Sequence, residues 1–278
     1  MKRKIFIENF FIYIGITSAF FTIIGLVWTS DISSFFKENE NYKIYFVLII
    51  GIINLCFAGF SIRKKNKLSL DLTKKIHTDI YYDDLFQSKG IIVIPVNDYF
   101  DTIVDDKIIS SNTIHGKFIN NFFKCNEKEL KQQINKSLSN SQVIETNLNR
   151  KQGNKKRYPL GTIAIVQQED KTFFLLALTR FNNNHRAEIT KSEYQRVIMQ
   201  LFDFTEQHSQ GFKINIPLIG SGHSGVELSE QKLLEFILFS ITLNDKLTLL
   251  NGVDIILYKD VKDNIDLNKI NYHYNTEE

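Results

Sequence analysis

Two uncharged apolar runs, residues 10–28 and 44–62, restrict what this 278-residue chain can fold into more than any other feature. Each run has 19 residues, and a helix of that length spans roughly 28 Å, close to the ~30 Å hydrocarbon core of a bilayer. The first run is too long for the apolar part of a signal peptide, and no small-x-small cleavage site precedes the polar stretch after it. The sequence therefore predicts a two-helix membrane anchor over residues 1–67.

Basic residues flank the two runs on their outer sides. Lys2, Arg3 and Lys4 precede the first run, and residues 63–67 contain one arginine and three lysines, whereas the loop between the runs carries both signs of charge. The positive-inside rule then places both termini in the cytoplasm. Two helices cannot enclose a pore alone, so any membrane-damaging role would require a homo-oligomer.

Charge and cysteine content exclude several other classes. A net charge of +3 is too small to indicate nucleic-acid binding. Cys56 and Cys125 have no CxxC partner and no His or Cys neighbour at metal-ligand spacing, so we interpret them as reduced thiols. No metal centre and no catalytic residue is predicted.

From residue 68 onward, short β-rich runs alternate with amphipathic helices. The predicted strands are residues 90–96, 161–166, 172–178, 212–219 and 253–258. Thr190 and Glu193 form a capping box that opens a helix to about His208, and Ser229 precedes another. Residues 125–157 are interpreted as a helix plus a mobile loop. The pattern predicts an α/β sandwich with a mostly parallel sheet over residues 68–262, followed by a C-terminal tail over 263–278.

Ligands of open α/β sheets gather beyond the carboxyl ends of the strands. One candidate segment is 97–101, continuing through 110–116. The other is the glycine-rich string 220–225, which can be either an anion-binding loop or simply a tight strand-to-helix turn. A divalent-metal site at the acidic cluster of residues 98–106 is a further alternative, although linear clustering does not show that the oxygens converge.

Four segments carry a family resemblance. They are Asp83-Asp-Leu-Phe86, Ile92-Val-Ile-Pro-Val-Asn-Asp98, Ile114-His-Gly116 and Ile216-Pro-Leu-Ile-Gly-Ser-Gly-His-Ser-Gly225. In this order they resemble the landmarks of a macro domain, a three-layer α/β/α sandwich. Together with the paired apolar runs, the chain resembles the transmembrane-macro effectors of Thoeris anti-phage defence, which implies a location in the bacterial inner membrane.

The resemblance implies binding of ADP-ribose or a derivative, with an amino-acid conjugate as one candidate, and no cofactor. Asp84 matches the acid that accepts the adenine amino group, and Leu85 the adjoining backbone donor. Asn97 and Asp98 match the ribose side. The first loop, covering the distal ribose, matches Thr113, Ile114, His115 and Gly116. The diphosphate loop matches Gly220, Ser221, Gly222, His223, Ser224 and Gly225.

The resemblance also implies a signalling partner and leaves alternatives. A TIR-domain enzyme would make the ligand from NAD, and binding would trigger oligomerisation and membrane disruption. Hydrolytic macro domains carry an Asn-Ala-Ala-Asn string, which here reads Asn97-Asp-Tyr-Phe-Asp101. This departure favours a sensor over the two competing hypotheses, a membrane-tethered ADP-ribosyl hydrolase and a binding module that does not signal.

Overall fold

The computed structural model describes residues 2–27, 40–61, 63–181, 186–222 and 225–275. It divides into two compact units, Met1–Lys65 and Asn66–Glu278. Residue 28 of the first apolar run, residues 29–39 of the predicted loop and two predicted ligand residues, His223 and Ser224, lie outside the described residues.

The first unit contains two helices, α1 (Lys2–Val27) and α2 (Glu40–Ser61). They pack antiparallel, because the Tyr13 and Phe57 rings lie 5.8 Å apart and Asn54 Nδ2 donates a hydrogen bond to Thr17 Oγ1 at 3.3 Å. Asn54 is only 2% exposed. A polar residue on one apolar helix is therefore satisfied in part by a hydroxyl on the other.

One helical segment among the described residues is long and apolar enough to cross a membrane, Phe6–Ile24. The apolar part of α2, Ile44–Phe60, is shorter, and the predicted second run ends at Ile62, outside the described residues. The prediction of two membrane spans is therefore supported for the first helix and not confirmed for the second.

An eight-stranded mixed sheet forms the centre of the second unit. Its strands are β1 (Lys67–Thr73), β2 (Ile76–Tyr82), β3 (Ile91–Asn97), β6 (Ile163–Gln168), β7 (Lys171–Phe181), β8 (Ala187–Glu188), β9 (Ile214–Pro217) and β10 (Val253–Leu257). Seven of them lie in the order β1-β2-β10-β9-β3-β7-β6, and β8 pairs with β7. Two short strands, β4 (Glu145–Thr146) and β5 (Lys156–Arg157), form a separate hairpin.

The central strands are parallel and the edges antiparallel. Strands β2, β10, β9, β3 and β7 run in one direction, whereas β1 and β6 run against their neighbours. Because β1 is antiparallel, its first residue, Lys67, lies opposite Tyr81 near the end of β2. The carboxyl ends of the five parallel strands therefore meet at one edge, which we call the carboxyl edge.

Helices cover both faces of this sheet. They are α3 (Ile114–Phe122), α4 (Glu127–Ser137), α5 (Lys191–His208), α6 (Glu230–Thr242) and α7 (Leu267–Asn275). Along β3, Ile91 and Val93 join the buried cluster of α5, α6 and α7, whereas Ile92 and Ile94 join that of α3 and α4. Successive strand residues point to opposite faces, so the unit has three layers.

Two sequence predictions about helices have clear outcomes. The capping box of α5 is present, with Thr190 Oγ1 accepting from the Glu193 backbone and Glu193 accepting from Thr190. The predicted C-terminal tail instead contains α7, whose Leu267 and Ile270 are buried in the core. These two residues are three positions apart and therefore share one helix face, which can pack against the domain.

Candidate functional site

The turn after β2 begins the carboxyl edge. Asp83 donates a backbone hydrogen bond to Leu257 O at 3.2 Å, which ties this turn to the end of β10. Asp84 caps a short 3₁₀ helix, because its Oδ1 accepts from Phe86 N at 3.0 Å. Asp84 is exposed, and no described residue donates to its Oδ2. The side chain of Leu85 is buried behind the turn. One carboxylate oxygen of Asp84 therefore remains available to a ligand.

An aromatic side chain lies beside this turn and was missed by the sequence analysis. Tyr258 directly follows β10, and its side chain is 56% exposed. Lys117, on α3, has its Nζ 4.7 Å from the centroid of the Tyr258 ring. An exposed aromatic at the carboxyl end of a central strand was the available signal, since such a ring can stack on a planar base.

The loop after β9 has the backbone form expected of an anion-binding loop. Gly220 has φ +94°, and a Cβ there would lie 3.1 Å from Tyr194 Cε2. Gly222 is exposed with open space around it, and Ser221 Oγ donates to Leu218 O at 2.8 Å. Tyr194 OH donates to Ile219 O at 2.8 Å and holds the strand end in place. Glycine is therefore required at 220 for conformation and packing, while 222 is open to a ligand.

The last glycine of this loop lies against a different connection. Gly225 has φ +74°, and a Cβ there would lie 3.4 Å from Ala187 O in β8. The loop after β9 therefore ends against the segment that connects β7 to α5.

The N terminus of α3 forms the next part of the edge. Thr113 caps it, with Oγ1 accepting from Gly116 N at 3.0 Å. A Cβ at Gly116 would lie 2.2 Å from Ser110 O, so only glycine fits. His115 is buried, and this burial lowers its pKa to about 4, against the smaller opposing effect of Asp101. Ile114 is half-buried. The four predicted first-loop residues thus form one helix start, where backbone amides favour anions.

The turn after β3 is internally bonded. Asn97 Oδ1 accepts from Tyr99 N at 3.1 Å, and its Nδ2 donates to Asp101 Oδ2 at 3.0 Å. Asp101 is 0% exposed and receives both ends of the Arg150 guanidinium at 2.7 and 2.6 Å. Asn154 N also donates to Asp101, at 2.7 Å. These side chains therefore serve the turn itself.

Asp98 is held in the same way from a second arginine. It is 1% exposed, and Arg157 Nε donates to its Oδ2 at 2.6 Å while Phe181 N donates to Oδ1 at 3.1 Å. Burial raises the pKa of Asp98, against the opposing effect of the Arg157 hydrogen bond. The prediction that Asn97 and Asp98 line the ribose stays a prediction, because their described partners are intramolecular.

The segment that carries these arginines was interpreted as a helix plus a mobile loop. The helix is present as α4. Beyond it, Arg150 and Arg157 pair with buried carboxylates of the β3 turn. Neither arginine was predicted from the sequence, because they lie 49 and 59 residues from their partners and no local pattern links them.

The carboxylates of the acidic cluster, residues 98–106, accept hydrogen bonds from neighbouring groups of the protein. Asp98 and Asp101 bind arginines, Asp105 Oδ1 accepts from Lys107 N and Ile108 N, and Asp106 Oδ1 accepts from Ser111 N. Within the described ranges, no group of three His, Cys, Asp or Glu residues could hold a metal ion.

Comparison with known proteins agrees with this geometry. A family model described as "Thoeris protein ThsA, Macro domain" matches residues 78–258, from within β2 to Tyr258. The chain belongs to this macro-domain family. The Thoeris protein ThsA of Bacillus amyloliquefaciens (strain Y2) is 29% identical over 235 residues, covering 82% of this chain and 73% of that protein. The chain is thus a macro-domain protein of the Thoeris antiviral defence family.

Solved structures show the same fold. The Oceanobacillus iheyensis macrodomain with ADP superposes with a TM-score of 0.52 at 12% identity, covering 76% of this chain and 97% of that one. A variant of that macrodomain with ADPR gives a TM-score of 0.50 at 12% identity, covering 74% and 97%. The macro-like α/β fold expected from the sequence is confirmed.

Proposed function

We propose that this protein is a membrane receptor whose macro domain binds an ADP-ribose derivative along the carboxyl edge. A TIR-domain partner makes this ligand from NAD, and an amino-acid conjugate of ADP-ribose is one candidate for it. The observation that carries the proposal is the loop after β9, with its left-handed Gly220 and open Gly222, in a chain of the Thoeris macro-domain family.

The purine end of the ligand is assigned to the turn after β2. Asp84 Oδ2 accepts a hydrogen bond from the amino group of adenine, and the exposed Tyr258 ring stacks on the base. Lys117, 4.7 Å from that ring, adds a positive charge on the route to the diphosphate. Asp84 and Tyr258 are exposed and Lys117 is half-buried, which fits a surface that must meet a ligand.

The diphosphate is assigned to two backbone structures. The loop that begins with Gly220, Ser221 and Gly222 offers backbone amides, and a Cβ at Gly222 would meet no described atom within 4 Å. His223, Ser224 and Gly225 are proposed to complete this loop. The start of α3, from Thr113 to Gly116, offers a helix N terminus. Asn97 and Asp98 are proposed to shape the ribose end through the turn that they stabilise.

Hydrolysis is not proposed, because the amide of Asn97 and the carboxylate of Asp101, which could otherwise position water, are occupied within the protein. Asn97 uses both of its amide atoms inside the turn. Phe100 has φ +51°, is buried, and packs its ring 5.5 Å from that of Tyr158. Arg150 occupies both oxygens of Asp101. These contacts support binding without turnover.

The effector step is proposed to occur in the inner membrane, with both α1 and α2 crossing it and both termini in the cytoplasm. The antiparallel packing of the two helices and the basic residues on their outer flanks support this arrangement. Ligand binding favours an assembled homo-oligomer that disrupts the bilayer. A hundredfold preference of the ligand for the assembled form supplies about 2.7 kcal/mol per subunit.

A substitution at Gly222 tests the receptor site. No atom that the structure describes lies within 4 Å of a Cβ at this position, so Gly222→Asp should leave the fold intact and place a carboxylate against the diphosphate. We expect calorimetry with ADP-ribose on the detergent-solubilised chain to show at least about a hundredfold weaker binding, because juxtaposed like charges cost several kcal/mol. The uncharged control Gly222→Ala should bind nearly as wild type.

Three outcomes would replace the proposal. Equal affinities of Gly222→Asp and wild type would remove the diphosphate from this loop. Release of ADP-ribose from ADP-ribosylated protein would make the chain a membrane-tethered hydrolase. Binding with no change in particle mass by light scattering would leave an ADP-ribose-binding module that does not signal.

A further inference from the structure

A second cleft lies beside the far end of the carboxyl edge, where β7 and β6 meet α5. Its volume is about 490 Å³. Arg157, Arg180, Arg196 and Gln200 form its polar wall, and Ile144 and Leu160 contribute to an apolar wall. The cleft lies away from the loop after β9, since β3 lies between β9 and β7 in the sheet and neighbouring strands are about 4.8 Å apart.

Two of the three arginines have donors to spare. Arg157 donates from Nε to Asp98, and its Nη1 lies 3.6 Å from Glu145 Oε2, beyond hydrogen-bond distance. Arg196 has no hydrogen bond or ion pair with any residue that the structure describes, and it is exposed on α5. Gln200 lies four residues further along the same helix and therefore on the same face.

Three guanidinium groups and the Asp98 carboxylate line the cleft. Arg157 lies within ion-pair distance of Asp98 and Glu145, and Arg180 pairs with Glu193, so Arg196 carries the one positive charge of the lining that no described carboxylate pairs with. Both Asp98 oxygens already accept hydrogen bonds, from Arg157 and from Phe181 N. Arg180 pairs through both terminal nitrogens with the carboxylate of Glu193, which illustrates the bidentate geometry available in this region.

We propose that this cleft binds a small carboxylate with an apolar body. The carboxylate would lie between Arg196 and Arg157, with Gln200 Nε2 as a further donor, and the apolar body would lie against Ile144 and Leu160. The apolar wall favours such a ligand over inorganic phosphate, which has no apolar surface to bury. The carboxylate belongs either to a free metabolite or to a substituent of the ligand bound along the carboxyl edge.

Ligand-observed fluorine NMR tests the proposal without requiring ADP-ribose. The probe is 4-fluorophenylacetate, added to the detergent-solubilised full chain, and its neutral match is 4-fluorophenylacetamide. We expect the acid to bind and the amide to bind at least about tenfold more weakly, since a charge-assisted pair is lost. Equal binding of the two probes, or displacement of the acid by an equal concentration of inorganic phosphate, would overturn the proposal.

Two variants locate the binding. Arg196→Ala should weaken binding of the fluorinated acid about tenfold, and Gln200→Glu should abolish its binding by placing a carboxylate in the cleft. Lys128→Ala, which removes an exposed positive charge from α4, is the control and should bind as wild type. Unchanged affinity in Arg196→Ala, with an unchanged unfolding midpoint, would refute the site.

Competition separates the two sources of the carboxylate. If saturating ADP-ribose displaces the fluorinated acid, the cleft is the extension of one continuous ligand site. If both bind together, the cleft receives a separate molecule. Both results are compatible with a carboxylate site in the cleft. The two sites can fail independently: if Gly222→Asp loses ADP-ribose binding but still binds the fluorinated acid, the cleft does not depend on the loop after β9.

Discussion

The two halves of the carboxyl edge are built in opposite ways. At the ends of β2, β10 and β9, which we call the open half, Asp84, Tyr258 and Ser221 are exposed. At the ends of β3 and β7, the closed half, Asp98 and Asp101 are buried and bound by arginines. A polar group that is already satisfied inside the protein stabilises the fold, whereas one left in water can exchange that water for a ligand.

This difference assigns separate tasks to the halves. The closed half fixes the shape of the turn after β3, and the open half supplies the exposed groups that are proposed to meet the purine and the diphosphate. Substitutions in the closed half should therefore appear mainly as lost stability, and substitutions in the open half mainly as changed ligand preference.

The largest expected effect follows removal of Asp101. Asp101→Ala leaves Arg150 buried without its carboxylate and removes the acceptor for Asn154 N. We expect a loss of about 3–5 kcal/mol in the free energy of unfolding, as for other broken buried pairs. Urea denaturation measures it. Asp170→Ala, at an exposed turn, is the control, and a similar loss there would show that Asp101 has no special role.

Acidic pH should weaken the closed half through His115. Burial lowers the pKa of His115 to about 4, so between about 6.5 and 4 the unfolded chain binds a proton that the folded chain does not. The contribution of His115 to the free energy of unfolding should be complete above pH 6.5. It should decrease by up to about 3 kcal/mol as the pH is lowered to about 4. The same denaturation at pH 7 and pH 4.5, on wild type and His115→Gln, measures this contribution. Equal losses in the two proteins would contradict it.

The smallest expected effect concerns base selectivity in the open half. Asp84→Asn keeps a side chain that can cap the 3₁₀ helix, so stability should be nearly unchanged. Wild type should prefer ADP-ribose over its hypoxanthine analogue, which lacks the amino group, by about tenfold, and the variant should lose this preference. Competition calorimetry with the two nucleotides measures the ratio. A preference retained by Asp84→Asn would assign base recognition elsewhere.

Local patterns predicted the parts of the fold that depend on neighbouring residues. The continuous apolar run of β3 and the capping box at Thr190 were identified because their signals lie within a few positions. Strands β1 and β2 were missed, although β1 alternates buried and exposed residues as a half-buried strand does. The predicted ends of two strands also indicated the two candidate ligand segments, which contain the loop after β9 and the start of α3.

Long-range pairs could not be predicted in this way. Nothing in the sequence around Arg150 or Arg157 identifies Asp101 or Asp98 as a partner, because their proximity depends on the folded path of residues 138–157. The exposure of Tyr258 depends equally on its neighbours in space. The sequence therefore indicated where a site lies, and the structure showed which of its side chains are already occupied.

The direction of β1 has a structural consequence. Since Lys67 lies opposite Tyr81, the polypeptide enters this domain about one strand spacing, ~5 Å, from the segment that leads to Asp84. In the proposed function, a purine bound at the turn after β2 would therefore lie close to the point where the chain enters this domain, and the β1–β2 pairing is the direct structural link between the two.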